Sequence, residues 1–360
     1  KKLFYFFSLI IFIFIILIVD ILLSNTILNY KNCIKHEKYF YELKKNCKGK
    51  YRFKETFPII ETKTDNMGLR IGNKSPLKNK DKKNIFIFGD SFTYGVGLEY
   101  EKTYVGLIES QMKDYNIYNF SVGSYSPSVY LYKLKNVLNN NTKPDKILLF
   151  LDLTDVLDEA SRWNYNKDNN TANLKTDYVY KKSLKKEKFI KRNFKILTNI
   201  SSYLNFHLRT LRDKAKIKIK NERKIKTSIQ GSFTYIKHNS LDKRFWNNDA
   251  FNRGIIMLEK RIEEISVISK KINSDLYLII YPWAETLEFG QKEFDWSEFT
   301  KKICIKNQCK VIDAIPDFKL YKEQNTNWSN ELYFLNDEHF NHKGASLLFK
   351  TVIKNINQKN

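Results

Sequence analysis

Glycine and proline are scarce in this 360-residue sequence, at 12 and 6. That excludes both a fibrous repeat and a low-complexity disordered chain, which are rich in one or the other. Cysteine is limited to four residues with no C-x-x-C pair, which argues against a zinc site. Acidic residues are also in deficit, 39 against 63 lysines and arginines, for a formal net charge of +24. Such an excess ordinarily raises nucleic acid or an acidic surface as partner. Here it is mostly lysine, spread along the chain among many Asn, Ile, Tyr and Phe, and no nucleic-acid-binding motif accompanies it. It reads as compositional bias, and no specific nucleic-acid partner is expected. What is present is 42% hydrophobic residues. At this length they can bury one full core and leave room for an insertion or a small second domain.

The N-terminus carries the longest apolar run. Leu3 to Leu23 is broken only by Ser8 and Asp20 and follows Lys1 and Lys2. About 20 such residues span a bilayer as a helix. The run ends in Leu22-Leu23-Ser24-Asn25-Thr26, with no small-residue cleavage pattern. Residues 1–23 therefore read as an uncleaved signal anchor, with the lipid bilayer as partner of residues 3–23. Lys31, Lys35, Lys38, Lys44 and Lys45 follow the segment, so the positive-inside rule does not orient it. Cys33 with Cys47 and Cys304 with Cys309 form two local pairs, which suits an oxidising, extracytoplasmic compartment; four free thiols are the alternative.

Residues 24–80 read as a stalk and lead-in. A regular pattern follows over 81–358. Short apolar runs at Asn84–Phe88, Asn116–Val122, Lys146–Leu151, Asp275–Tyr281 and Lys310–Asp313 predict strands. Helical spacing recurs at Thr103–Met112, Ser128–Leu138, Asn252–Lys271, Trp296–Ile305 and Lys343–Ile353. This alternation implies βαβ units and a mostly parallel sheet covered on both faces. Residues 161–240 depart from it. They are dense in lysine and arginine, lack a strand pattern, and read as a basic insertion in which Phe189–Arg212 has amphipathic helical character.

Ligand sites in such sheets lie beyond the carboxyl ends of the strands, where Gly89-Asp90-Ser91, Gly123, Thr154-Asp155 and Tyr281-Pro282-Trp283 fall. Ser91 follows an apolar strand and is flanked by glycines, a setting that presents a hydroxyl on a tight turn. A neutral serine needs a base to attack a carbonyl. His339 can supply it, and Asp337 can hold the imidazole in the required tautomer. Asp90 is expected to pin the turn, and His342 to serve as a solvent-facing or capping residue of the last helix. No further ligand cluster accompanies Asp337, His339 and His342, so no metal is expected.

These blocks resemble the SGNH (GDSL-like) hydrolases. Gly89, Asp90, Ser91 and Thr93 match the first signature block. Asn119-Phe120-Ser121-Val122-Gly123 looks like the second. Asp337-Glu338-His339-Phe340-Asn341 through Gly344 looks like the last. Thr64-Asp65-Asn66-Met67-Gly68-Leu69-Arg70 is similar to a stretch that often precedes the first. The resemblance covers roughly residues 60–350 without the insertion. It implies a three-layer αβα flavodoxin-like fold and a serine hydrolase with no cofactor. Ser91, Asp337 and His339 would be catalytic, with oxyanion donors at Ser91, Gly123 and Thr154. Tyr281 and Trp283, from their place at a strand end, are candidates to line the substrate pocket, with a packing role as the equal alternative.

Two features depart from the family. Asp337-x-His339 replaces the usual D-x-x-H spacing, and is similar to a branch acting on exported polysaccharides. Thr154 stands where the family places an asparagine. The expected substrate is an acylated glycan or small ester, and envelope polysaccharide assembly machinery is a candidate partner. Acyl transfer to a sugar hydroxyl and a catalytically weak glycan-binding scaffold are the other readings.

Overall fold

The computed structural model describes residues 1–25, 32–54, 57–176, 248–335 and 337–356, with scattered positions from 193 to 208. An apolar N-terminal helix, Lys2–Asn25, precedes the folded body. Within it Leu3–Ser24 has a mean hydropathy of 3.2, long and apolar enough by length and composition to cross a membrane.

Residues 34–71 do not form the stalk expected from the sequence. They contain five short strands: β1 (Ile34–His36), β2 (Tyr41–Leu43), β3 (Lys48–Tyr51), β4 (Ile60–Thr64) and β5 (Arg70–Ile71). β1 and β2 form a hairpin, and β3, β4 and β5 a small antiparallel sheet. Tyr41, Leu43, Phe57 and Leu69 are buried in the same core as the central sheet. The segment reads as polar because its strands alternate buried and open positions, as in Ile60–Thr64, so only every second residue faces the core.

Five parallel strands form the central sheet: β6 (Lys83–Phe88), β7 (Tyr115–Asn119), β8 (Lys146–Leu151), β11 (Asp275–Ile280) and β12 (Lys310–Asp313). A hairpin, β9 (Trp163–Asn166) with β10 (Thr171–Leu174), lies between β8 and β11 in the chain. The sheet order β12-β11-β8-β6-β7 is the flavodoxin-like arrangement, in which the strand order reverses between the first and third strands, here β6 and β8. Alternate residues of one strand enter opposite cores. Phe86 and Phe88 face one, with residues of helices Pro127–Leu138, Asn248–Lys271 and Trp296–Asn307. Ile85 and Ile87 face the other, with residues of Tyr104–Gln111, Ile315–Gln324 and His342–Ile356. The result is the expected three-layer α/β fold.

The proposed insertion also begins later than the sequence suggested. Trp163 is fully buried and donates its indole N–H to the Ser124 carbonyl at 2.7 Å, which makes the β9–β10 hairpin part of the body. Most of Phe189–Arg212 lies outside the described residues. The cysteines pair as expected, Cys33 with Cys47 and Cys304 with Cys309. The first bridge spans 14 residues and the second five. Closure entropy grows with loop length, so a loop near 15 residues is worth about 3 kcal/mol and a shorter one less. Replacing Cys33 and Cys47 by serine is therefore expected to lower the denaturation midpoint more than replacing Cys304 and Cys309. Equilibrium unfolding of the two double variants checks the ranking.

Candidate active site

Ser91 follows the end of β6 and opens a single-turn helix, Ser91–Tyr94. Asp90 caps that turn, its Oδ1 accepting the Phe92 N–H at 2.9 Å. Gly95 closes it at φ 81°, in the left-handed region. Gly89 is required for close approach, because a Cβ there would come within 1.8 Å of Thr93 Oγ1. Arg70 is 1% exposed and binds the turn from below. Its guanidinium donates to the carbonyls of Tyr94, Gly95 (3.1 Å) and Leu98 (2.6 Å). These bonds satisfy Nη1 and Nη2 and so offset much of the cost of burying the charge, while Nε is buried without a hydrogen-bond partner.

His339 arrives from the other end of the chain. Its Nε2 lies 2.8 Å from Ser91 Oγ, and its Nδ1 lies 2.5 Å from Asp337 Oδ1. The same carboxylate oxygen accepts the His339 backbone N–H at 3.0 Å, and Asp337 Oδ2 accepts from Lys54 Nζ. The imidazole is 3% exposed and packs against Phe92 (ring centroids 4.7 Å apart) and Phe53 (5.1 Å). The glutamate between the two, Glu338, puts Oε1 3.9 Å from His339 Nδ1. Asp337, Glu338 and His339 thus bring three potential ligand atoms within 4.8 Å. Both ring nitrogens of His339 are already hydrogen-bonded, as a proton relay requires. His342 stands apart, exposed, with Nδ1 3.1 Å from the Lys102 carbonyl oxygen.

The electrostatics follow from these contacts. Burial pushes the Asp337 carboxyl up, but the hydrogen bond and charge of His339, together with Lys54, bring it down to about 2. Burial lowers His339, and the Asp337 hydrogen bond with the charges of Glu338, Asp337 and Asp90 more than offsets this, leaving the imidazole above its ordinary value. A base must be neutral to accept a proton, so the acidic limb of kcat/KM is expected to lie above the usual histidine range. Lys54 neutralises part of Asp337. Lys54→Met is therefore expected to shift that limb further to higher pH, with little change on the plateau. A shift to lower pH, or none, would remove Lys54 from the electrostatics of the site.

Three sequence-derived site residues sit differently from expectation. Thr154 is near Ser91 but its hydroxyl is committed elsewhere. Oγ1 is 2.5 Å from Asp152 Oδ1 and 3.4 Å from Asp90 Oδ2, and its N–H also donates to Asp152. Asp152 caps the helix Leu153–Ser161, and this capping draws the threonine proton away from an oxyanion. Burial and the charge of Asp90 push Asp152 up to about 8. Tyr281 and Trp283 are each 2% exposed. They do not face the cleft; Tyr281 packs against Phe92 and Phe340, and the Trp283 indole N–H donates to Asp152 Oδ2 at 3.2 Å. Gly123 does lie opposite Ser91. A Cβ built on it would sit 3.7 Å from Ser91 Cβ with nothing else within 4 Å, and its carbonyl is fixed by the Tyr41 hydroxyl at 2.9 Å. Among the described residues its N–H has no protein acceptor.

Sequence reasoning missed Phe53 and Phe57, which pack against His339, Lys54, which pairs with Asp337, and the buried role of Arg70. The only signal was the lead-in block ending in Arg70. A cavity of about 220 Å³ lies between residues 42–69 and 119–140, and neither Ser91 nor His339 lines it. It holds no nucleophile–base pair and so offers no competing centre for this chemistry.

Residues 1–280 match the family model described as "Protein of unknown function (DUF1574)". The chain belongs to this family. The matched range includes Ser91, Gly123 and Thr154 and ends before Asp337 and His339. No curated protein matches the chain. Among solved structures it is similar to a member of the lipolytic protein G-D-S-L family from Veillonella parvula DSM 2008, at 14% identity, covering 77% of this chain and 100% of that one, with a TM-score of 0.40. It is also similar to the acetyl xylan esterase AlAXEase, at 16% identity, 76% and 99% coverage and a TM-score of 0.42. A third is an acetylxylan esterase from Geobacillus stearothermophilus, at 10% identity, 79% and 98% coverage and a TM-score of 0.41.

Proposed function

We propose that this member of the DUF1574 family is a membrane-anchored, extracytoplasmic serine esterase of the SGNH type that removes acyl groups, chiefly acetyl, from a cell-envelope glycan. The observation that carries the reading is the continuous relay from Ser91 Oγ through His339 to Asp337, with separations of 2.8 and 2.5 Å. Ser91 Oγ attacks the ester carbonyl carbon and passes its proton to His339 Nε2. Asp337 holds the ring and balances its charge. The backbone N–H groups of Ser91 and Gly123 receive the oxyanion. His339 then protonates the departing sugar oxygen, leaving an acetyl-serine. Water, deprotonated by His339, releases acetate and restores the hydroxyl. The anchor reading draws on Leu3–Ser24, and the extracytoplasmic placement on the two disulfides.

The Asp337-x-His339 spacing favours a second reading. A sugar hydroxyl replaces water in the last step, making the protein an O-acyltransferase working with envelope polysaccharide assembly machinery. The test is acetate release from a chromogenic acetyl ester and from acetylated polysaccharide by the full chain in detergent, with and without an acceptor oligosaccharide. Acetate release supports the esterase, and acceptor acetylation at the expense of acetate supports transfer. Absence of both with every ester tried would sink the acyl-enzyme reading.

Thr154→Val separates the oxyanion assignments. With its hydroxyl held by Asp152, the change is expected to alter kcat by less than about tenfold. Loss of a true oxyanion donor costs on the order of 10²–10³, and a drop of that size in steady-state kinetics would return Thr154 to the oxyanion hole.

A further inference from the structure

The apolar N-terminal helix is not uniformly bare. Along Leu3–Ser24 only Leu17, Asp20, Leu23 and Ser24 are shielded. Asp20, 2% exposed, is the one charged residue in that run. Its two carboxylate oxygens accept the backbone N–H groups of Ile196 and Leu197, each at 2.9 Å, and Ser24 Oγ donates to Oδ1 at 2.8 Å. A carboxylate is stabilised by helix N–H groups in this way. Shielding stops at Leu17, so the contact is confined to the carboxyl end of the apolar run.

From that point Leu197, Ile200, Leu204 and Leu208, all helical, follow at spacings of three, four and four. Such spacing places them in one stripe. They are 40%, 50%, 53% and 61% exposed, so the folded body does not cover them. The surrounding sequence, residues 181–226, has 17 lysines and arginines against three acids. An exposed apolar stripe within a strongly basic segment, joined to the end of a membrane-crossing helix, has the chemistry of an interfacial element on anionic lipid.

We propose that Leu197, Ile200, Leu204 and Leu208 form a lipid-facing stripe that lies in the headgroup layer where the anchor emerges, pinned there by Asp20. The inference rests on the reading of residues 3–23 as a membrane anchor. It makes this stripe a second membrane contact, one that limits how the catalytic body tilts over the surface.

All four cysteines are paired, so a single added cysteine can carry a spin label in the full chain. The chain is reconstituted in nanodiscs of phosphatidylcholine with phosphatidylglycerol, and oxygen and nickel-chelate accessibilities give depth. Labels at Ile13, Ile200, Leu204 and Lys302 are compared, Lys302 having a side chain 73% exposed on the body. The expected result is Ile13 deep, Ile200 and Leu204 at headgroup depth, and Lys302 in water, with Asp20→Leu releasing the Leu204 label into water. Ile200 and Leu204 as wet as Lys302, while Ile13 stays deep, would overturn the stripe and leave the anchor standing. Labels shielded from both reagents would also overturn it, in favour of a protein contact such as a second copy. A wet Ile13 would mean the anchor reading itself has failed, and the inference with it.

Discussion

Ser91→Ala is expected to reduce kcat on an acetyl ester by on the order of 10⁶, the loss seen when a triad nucleophile is removed from a well-studied protease. The expectation rests on uniqueness of position. Ser91 Oγ is 2.8 Å from His339 Nε2 and 3.0 Å from Asp90 Oδ2. The neighbouring hydroxyl of Thr154 is held by Asp152. The fold should survive. Alanine is a good helix former at the first position of Ser91–Tyr94, and the turn is fixed independently by the Asp90 cap and the Arg70 bonds to Tyr94, Gly95 and Leu98. Thermal unfolding near the parent midpoint, together with kinetics, tests both halves. A well-folded variant retaining more than about a hundredth of the parent kcat would be incompatible with a serine acyl-enzyme.

The parts of this site differ in how far the sequence disclosed them. The central strands were legible because a strand buried on both faces is an unbroken apolar run, as at Lys146–Leu151. Ser91, Gly123 and His339 were legible because each belongs to a compact block with glycines or a nearby acid. Thr154 falls just past the strand end, as read, but the direction of its hydroxyl depends on Asp152, to which the sequence assigned no role. Tyr281 and Trp283 were placed at the right strand end, yet whether a side chain enters the cleft or the core is a matter of packing. The largest error was the stalk. Its strands of two to five residues have too little periodicity to register, and Arg70 as an isolated charge reads as exposed. The backbone carbonyls of Tyr94, Gly95 and Leu98 make it a core residue, and no local rule supplies them.

The same relay predicts a graded histidine and aspartate series, and here the ranking is the test. His339→Ala is expected to cost about as much as Ser91→Ala, on the order of 10⁶ in kcat, because a nucleophile without its base is a neutral alcohol. Asp337→Asn should cost less, on the order of 10⁴, since the amide keeps the shape but favours the wrong tautomer and no longer balances the imidazolium. That variant should also titrate differently. Without the Asp337 charge and hydrogen bond that raise His339, burial is opposed only by Glu338 and Asp90, so the acidic limb of the residual activity moves to lower pH. His342→Ala should change kcat less than about threefold, because its ring is exposed and meets the Lys102 carbonyl, away from Ser91. A larger loss in His342→Ala than in His339→Ala would reassign the base. Equal losses in His339→Ala and Asp337→Asn, with no change in the pH limb, would mean that Asp337 supports the fold through Lys54 and the His339 backbone and leaves the proton transfer untouched.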